Sequence, residues 1–585
     1  MGSGFAALFY FCLTDKAKGI SMKDHSINIL KWIFKNIGKN KIYIFILTVA
    51  QISLSLSSIA IAWILSSIID STTLNETDRI YSKIIFMIAV ILFQIAVQAL
   101  IRFLKEFIVS NIENELKLRI FRNIISKNIQ TVESLHSEDW MNRLTSDTVV
   151  VASSISTIIP DVSGIVVRIG ATVLILIYLL PAFAVLAIIF GIVFVALTYI
   201  FRKKLKSLHK KIQELNGKLR MYMSEAITNL TIIHTFSIEK ETVEKAESKM
   251  NSHKFARMKR NYFSNLCNMG FSVIIQGVYL IGVIFCIYGI LTGTITYGNF
   301  VAFLQLVIQI RGPMSNISTY LPKYYSMIAS AERLMESEKY EDFYKTVPLK
   351  NKFIKNFYNK ELKKIELKNI DFSYKDQSEN KSNKVLRNFS MEISKGEYIA
   401  FTGASGCGKS TILKIIMCLY TIDKGERRIV TNNKTIPLNT EWSGLFAYVP
   451  QGNQLMSGTI REIITFNNTE KQDDFKVWES LKLACAYDFV KKLKEGLDTV
   501  LGENGYGLSE GQMQRLAIAR AIYSDHPIIL LDESTSSLDE NTEKCLLNNL
   551  RNMTDKTILI VTHRSAVLDI CDRQVIVTNN ETKVI

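Results

Sequence analysis

Tyr398-Ile-Ala-Phe-Thr402, then Gly403-Ala-Ser-Gly-Cys-Gly-Lys-Ser410, then the apolar run from Ile412 to Tyr420 read as a short buried strand, a glycine-rich loop and a helix. The loop has the spacing GxxxxGK[ST], with the strand before it and the helix after it that the pattern requires. Its glycines let successive backbone N–H groups converge on phosphate oxygens at the positive end of a helix dipole. In such a loop Lys409 reaches the β- and γ-phosphates of a nucleoside triphosphate, and the Ser410 hydroxyl binds Mg²⁺. Cys407 fills a variable position and reads as a spacer.

Two further strands end on chemistry. Ile528–Leu531 is four apolar residues long, suited to a parallel strand buried on both faces, and runs straight into Asp532-Glu533. Open α/β sheets place ligands at that carboxyl end. Asp532 is expected to hold Mg²⁺ through water and Glu533 to polarise the attacking water. Thr557–Thr562 is a third strand, and His563 at its end is expected to touch the γ-phosphate. Strand-length runs alternate with amphipathic helices throughout residues 365–585, which predicts an α/β nucleotide-binding domain.

The N-terminal half has a different character. Uncharged stretches long enough to cross the hydrocarbon core occupy Ile42–Ile69 and Ile84–Ile101. Two more are placed near Val162–Leu180 and Ala182–Phe201, with Pro181 supplying the hairpin. The run from Asn261 to Ile310 carries no charge and is broken by Thr292–Asn299. That gives a fifth span near Phe263–Leu291 and a sixth from Phe300 to about Ile328, in an all-α transmembrane domain over 27–335. The outer loop Asp70–Ile80 has one basic residue, whereas 102–147 and 202–260 are rich in Lys and Arg. Both termini and both basic segments are therefore expected in the cytoplasm. If helical, Arg102–Leu135 projects about 50 Å below the bilayer. Short transverse helices at Ser137–Leu144 and Met221–Leu230 are expected to touch the ATPase. Ile27, Leu30, Phe34 and Ile37 at helical spacing suggest an interfacial helix. Arg168 and Arg311 lie within spans, where a charge needs a partner, a cavity or an interface. Arg168 is placed near the cytoplasmic end, where it can snorkel, and Arg311 deeper, beside Pro313.

Length and composition agree with this division. The chain has 585 residues, 48% of them hydrophobic, and a formal net charge of +16. That length implies at least two domains, and the charge is explained by cytoplasmic loops without invoking nucleic acid. The eight cysteines show no CxxC or metal-ligand spacing and read as thiols of a reducing compartment. Phe5–Leu13 is apolar with no basic segment before it, which argues against a cleaved signal peptide. Met22 stands as an alternative start, so residues 1–26 are read as a tail. Residues 336–364, charged and containing Pro348, read as a linker. Frequent Ile, Lys and Asn hint at a bacterial source.

The cassette resembles those of ATP-binding cassette (ABC) transporters, and the whole chain after about Ile27 resembles their half-size exporters. Leu508-Ser-Glu-Gly-Gln512 with Met513–Arg520 is similar to the signature motif, which argues against a soluble-type P-loop kinase with unrelated anchors. Tyr448-Val-Pro-Gln451 resembles the Q-loop, Ser536-Ser-Leu-Asp539 the D-loop, and Val561-Thr-His-Arg564 the switch segment. Gly298–Phe300, Arg311–Pro313, Ala331–Arg333 and Arg143–Asp147 resemble exporter patterns in the membrane half.

The resemblance implies ATP and Mg²⁺ as cofactors. Tyr374 would stack on adenine; Gly403, Ser405, Gly406, Gly408, Lys409, Ser410 and Thr411 would hold the phosphates; Gln451 would join Ser410 and Asp532 at the metal. Ser509, Gly511, Gln512 and Asp539 would complete the site built by a second chain's loop. It also implies a dimer in the cytoplasmic membrane, homodimer favoured and heterodimer open, exporting a drug, lipid or mature peptide by alternating access. The two arginines favour an acidic substrate. Glu510 stands where the signature is usually Gly, so a carboxylate comes near the partner's triphosphate. The alternative is a less active regulatory half of a heterodimer.

Overall fold

The computed structural model describes residues 20–74, 76–133, 137–340, 342–344, 347–375, 382–452, 455–466, 473–502, 507–578 and 582–584. The side chains of 182–200 and 310–319 are not among those described, so the helix carrying Arg311 is observed but its guanidinium lies outside the described residues. The chain divides into two compact units: the chain up to Ile120 with Asn142–Met335, and Phe121–Met141 with Glu336–Ile585.

The first unit is helical: α1 (Ile20–Asn36), α2 (Asn40–Thr73) and α3 (Thr77–Ser126), followed by α4 (Ile129–Glu133) and α5 (Ser137–Asn142), which lead out of it and back. Then come α6 (Thr148–Leu179), α7 (Pro181–Thr228), α8 (Glu239–Leu291) and α9 (Tyr297–Ser337). The long helices α2, α3, α6, α7, α8 and α9 contain the six expected spans in order. Among the described residues, 40–73, 77–126, 139–179 and 239–291 are long and apolar enough to cross a membrane. Pro181 opens α7 at its first turn, where its missing N–H costs nothing, after Leu180 leaves helical geometry at φ −143°. The Thr292–Asn299 break is the α8–α9 turn. Asp70 at the end of α2 caps it, accepting from Thr296 Oγ1 at 3.0 Å and the Gly298 amide at 2.9 Å.

Ile29 and Ile33 of α1 and Ile37 just beyond it are buried, while Phe34 is exposed. Ile37 belongs to the expected stripe, and Ile29 and Ile33 lie beside it. Arg143 and Asp147, in the stretch that resembles an exporter pattern, brace α9. Buried Asp147 accepts from Ser330 Oγ at 2.8 Å and pairs with the Arg333 guanidinium, and Arg143 donates to the Arg333 carbonyl at 3.1 Å. A buried carboxylate needs such partners.

The second unit begins with α10 (Asn351–Lys360), then β1 (Leu362–Lys375), β2 (Ser382–Ser394), β3 (Tyr398–Thr402), α11 (Lys409–Ile416), β4 (Lys424–Thr431), β5 (Thr435–Pro437) and β6 (Phe446–Val449). A small ribbon, β7 (Gly458–Thr459) with β8 (Val500–Leu501), flanks α12 (Asp474–Leu483). Then follow α13 (Glu510–Tyr523), β9 (Ile528–Asp532), α14 (Glu540–Arg551), β10 (Thr557–Val561), β11 (Arg573–Val577) and β12 (Thr582–Val584). The six-stranded sheet has the order β12-β11-β3-β10-β9-β6, with β11, β3, β10, β9 and β6 parallel to one another and β12 antiparallel to β11. Alternate residues of its strands feed two cores. Ile399, Phe401, Ile528, Leu530, Leu559 and Val561 face one, while Ile529, Leu531, Ile558 and Ile560 face the other. Burial on both faces explains why these strands are continuous apolar runs.

The segment expected as a linker is partly cassette. Ile354, Phe357 and Tyr358 of α10 are buried in the first core, and Phe357 packs on Trp442 with ring centroids 4.6 Å apart. Four apolar and aromatic residues spread over charged neighbours conceal a short amphipathic helix from a search for long apolar runs.

Candidate nucleotide-hydrolysis site

The loop 403–410 joins β3 to α11 at the carboxyl end of the sheet. Gly403, Gly406 and Gly408 all have positive φ, at 141°, 79° and 102°. At Gly403 a Cβ would lie 2.2 Å from the Val577 carbonyl oxygen, so no other residue fits. Gly408 caps α11 without any side-chain acceptor, leaving the helix's first amides to a ligand. Ala404, Ser405 and Gly406 form the exposed crest. Lys409 is buried and folds over the loop, its Nζ donating to the carbonyls of Gly403 and Ala404, both at 2.9 Å.

Ser410 Oγ donates to Asp532 Oδ1 at 3.0 Å, and the Tyr448 hydroxyl donates to Asp532 Oδ2 at 3.0 Å. Both oxygens of this buried carboxylate are thereby fixed. Burial pushes the Asp532 carboxyl above the usual carboxylate range, with the Glu533 charge adding, against the pull of its two hydrogen bonds. Such a group gains from a cation. Glu533, one residue beyond β9, takes φ +49°, a costly conformation for a non-glycine residue that turns its carboxylate off the strand line. Gln451 Nε2 donates to Glu533 Oε2 at 2.7 Å, and His563 Nε2 lies 3.4 Å from Oε1. The oxygen-rich set of Ser410, Asp532 and Gln451 fits a hard divalent cation such as Mg²⁺, and the uncapped glycine loop fits a polyphosphate. When bound, the cation would supply charge neutralisation for the phosphates, and the Glu533 carboxylate, with Gln451 and His563 beside it, stands where it could orient a water.

Tyr374 stands beside this loop, its hydroxyl 3.0 Å from Thr411 Oγ1. Its ring meets Phe372 and Tyr420 edge-on, at 5.1 and 5.8 Å. Tyr420 carries the chain of contacts further: its hydroxyl donates to Glu133 at 2.5 Å, and Lys414 Nζ reaches the same carboxylate at 3.1 Å. Gln130 accepts from Thr421 at 3.2 Å, and Ile129 packs against the cassette core. The segment after α3 thus engages the cassette through α4, just upstream of Ser137–Leu144, within the second unit. No sequence pattern marks Glu133, since its partners lie in another part of the chain. Tyr420→Phe is expected to lower cassette stability by about 1 kcal/mol, a charge-assisted bond discounted for the half-exposed Glu133. Thermal unfolding of the full chain with and without the substitution reads this.

The remaining predicted residues form a second group. Ser509 caps α13: its Oγ accepts from the Gln512 amide at 3.3 Å while Gln512 Oε1 accepts from the Ser509 amide at 2.9 Å, a reciprocal capping box. Glu510 is exposed in the first turn, where a carboxylate favours the helix dipole. Asp539 caps α14 through the Thr542 amide at 2.9 Å. A Cβ on Gly511 would sit 2.7 Å from the Ser537 carbonyl oxygen, so the two motifs touch backbone to backbone. Gln514 ties them further, bonding the hydroxyls of Ser536 and Ser537 and the Ser537 amide at 3.2–3.3 Å. Arg564, next to His563, donates to the carbonyls of Leu538 and Ser536. Sequence reading missed Gln514 and the role of Arg564. Among the described residues, no hydrogen bond or ion pair joins 509–512 to 403–411.

A family model described as "ABC transporter transmembrane region" matches residues 44–314, and one described as "ABC transporter" matches 386–536. A putative export ATP-binding/permease protein of Rickettsia felis is 26% identical over 559 residues, covering 93% of each chain. A multidrug resistance ABC transporter ATP-binding and permease protein of Lactococcus lactis is 27% identical over 507 residues, covering 83% of this chain and 81% of that one. A solved structure of a bacterial Atm1-family ABC exporter with ATP bound superposes with a TM-score of 0.77 at 20% identity, covering 93% and 94% of the two chains.

Proposed function

The chain belongs to the ABC transporters, as a half-size exporter with one transmembrane region followed by one ATPase cassette, and from that premise we propose how it is assembled and driven. It is a multi-pass membrane protein that couples ATP hydrolysis to export. Two copies stand together with both termini in the cytoplasm, and each glycine loop is completed by Ser509, Gly511, Gln512 and Asp539 of the other copy. Ser410, Asp532 and Gln451 would hold Mg²⁺, which would supply charge neutralisation for the phosphates. Binding of two ATP closes the cassettes and turns the cavity outward; hydrolysis resets them.

The observation that carries this reading is the composition of the two groups. One holds a loop, an acid pair, Gln451 and His563; the other presents a capped helix start that makes no bond to that loop. A second exposed surface agrees. Met221, Ile227, Leu230, Ile232 and Phe236 at the second cytoplasmic turn are all more than half exposed, an apolar patch of the kind that marks a protein interface. Purified chain in lipid nanodiscs should weigh as two copies and hydrolyse Mg·ATP unaided. A chain that is inert alone and active only with a different half-transporter would instead establish the regulatory-half reading, which Glu510 favours. Glu510→Gly then separates the cases, raising turnover only where that carboxylate repels the partner's triphosphate.

For the substrate we infer a carboxylate or phosphate on an otherwise apolar body. Arg168 lies in α6 between Thr148 and Leu179, nearer the latter, and its Nε is buried with no hydrogen-bond partner. Arg168→Ala should abolish stimulation of the ATPase by acidic amphiphiles and spare that by neutral ones. Equal stimulation of both proteins removes Arg168 from the argument.

A further inference from the structure

Cys485 and Cys545 are sixty residues apart in the chain and in contact in the fold, the Cys485 thiol donating to Cys545 Sγ at 3.0 Å. Among the described residues this is the only contact recorded between two sulfurs. Cys485 follows the end of α12 in a left-handed conformation, φ +54°, and is half-buried; Cys545 is exposed on α14. Asn549, one turn along α14, donates to the Leu483 carbonyl at 3.0 Å and lies 3.6 and 3.9 Å from the two sulfurs. The pair is thus held together by a side-chain clamp and stays open to solvent on one side.

We propose that Cys485 and Cys545 form a reversible disulfide site, a modification site that takes a low-molecular-weight disulfide as its oxidant. The exposed Cys545 thiolate attacks one sulfur of the disulfide R–S–S–R, breaking its S–S bond, forming a mixed disulfide and releasing RS⁻. Cys485 sulfur then attacks the Cys545 sulfur, expelling the second RS⁻, which takes the Cys485 proton. Two protein thiols lose two electrons, and one R–S–S–R becomes two RSH. Burial, then the neighbouring Cys545, push the Cys485 thiol up to about 12, which makes it the resolving and not the attacking member. Excess thiol reverses both steps. Disulfides in a reducing compartment are usually transient and sensing, and this geometry suits that use.

The bond would cross a mechanical seam. Arg515 of α13 donates to the Cys485 carbonyl at 2.7 Å and stacks its guanidinium 4.9 Å from the Phe489 ring, so the Cys485 turn braces the helix that Ser509 caps. Cys545 rides on the helix that Asp539 caps. Oxidation therefore fixes Ser509 and Asp539 at one spacing. That this slows turnover rests on the reading that both serve the partner's loop; the covalent step does not.

The full chain in lipid nanodiscs is treated with bis(2-hydroxyethyl) disulfide, then digested without reduction for peptide mass spectrometry, with ATP turnover measured in parallel. We expect a Cys485–Cys545 linked peptide, a severalfold fall in turnover, and recovery with dithiothreitol. Cys545→Ser and, separately, Cys485→Ser should match the untreated protein and resist the oxidant. Absence of the linked peptide in folded protein overturns the site. A linked peptide with unchanged turnover overturns the regulatory consequence alone. Equal inhibition of Cys545→Ser places the oxidant's effect elsewhere and also overturns it. None of these outcomes touches the exporter reading, which fails on its own if Glu533→Gln leaves turnover intact.

Discussion

Glu533→Gln is expected to lower ATP turnover by about two to four orders of magnitude, the range associated with losing a general base, while ATP binding survives. The substitution keeps the shape of the side chain while removing its charge and its capacity to accept a proton. The residue's left-handed backbone, φ +49°, is unaffected, because Gln pays the same conformational cost as Glu. Gln451 Nε2, 2.7 Å from Oε2, can still be met by the amide oxygen of Gln. The loop that holds the phosphates, with Lys409 and Ser410, is untouched. Phosphate release and binding of a fluorescent ATP analogue, measured on the same nanodisc preparation, separate the two effects. Loss of binding together with turnover would mean that Glu533 supports the loop's architecture and is not the base.

The parts of this site legible in the sequence are those that local chain order defines. Strand, loop and helix around Gly403–Ser410 follow one another, and the apolar runs before Asp532 and His563 announce their strands, so three strand ends could be expected to converge. Their neighbour relations in the sheet, β3 beside β10 beside β9, make that convergence real. What stayed hidden are partnerships between remote segments. Tyr448 was read as one letter of a motif, yet its hydroxyl occupies the second oxygen of Asp532. Glu133 has no signature because its meaning lies in Tyr420 and Lys414, some 280 residues on. Ile29 and Ile33 of α1 are buried although the expected stripe did not include them, since periodicity identifies a helix better than it identifies which neighbour the helix packs against. Residues 351–360 escaped for a related reason: ten residues with three buried side chains are too short for periodicity to stand out from charge.

The second large effect tests the shared site directly. Lys409→Ala disables a loop, and Gly511→Val disables a signature, because even the first carbon of the new side chain meets the Ser537 carbonyl oxygen at 2.7 Å. Overpacking there costs about 1–3 kcal/mol or displaces α13 from the D-loop, and either disturbs Ser509. When the two changes are placed on different chains of one dimer, the shared arrangement concentrates both defects in one site and leaves the other whole. Turnover should then be roughly half that of the unmodified dimer if the sites act independently. When both changes are placed on one chain opposite an unmodified partner, each site receives one defect and turnover should fall to background. A cassette that used its own signature would give the reverse: activity with both changes on one chain, none with them divided. Differently tagged copies purified through both tags supply the two dimers, and their phosphate-release rates decide between the arrangements. Strong coupling between the sites lowers the divided dimer's rate but cannot exchange the order of the two, so the ranking itself is the result. That ranking also bears on Glu510, which matters to catalysis only if the helix it opens faces another chain's triphosphate.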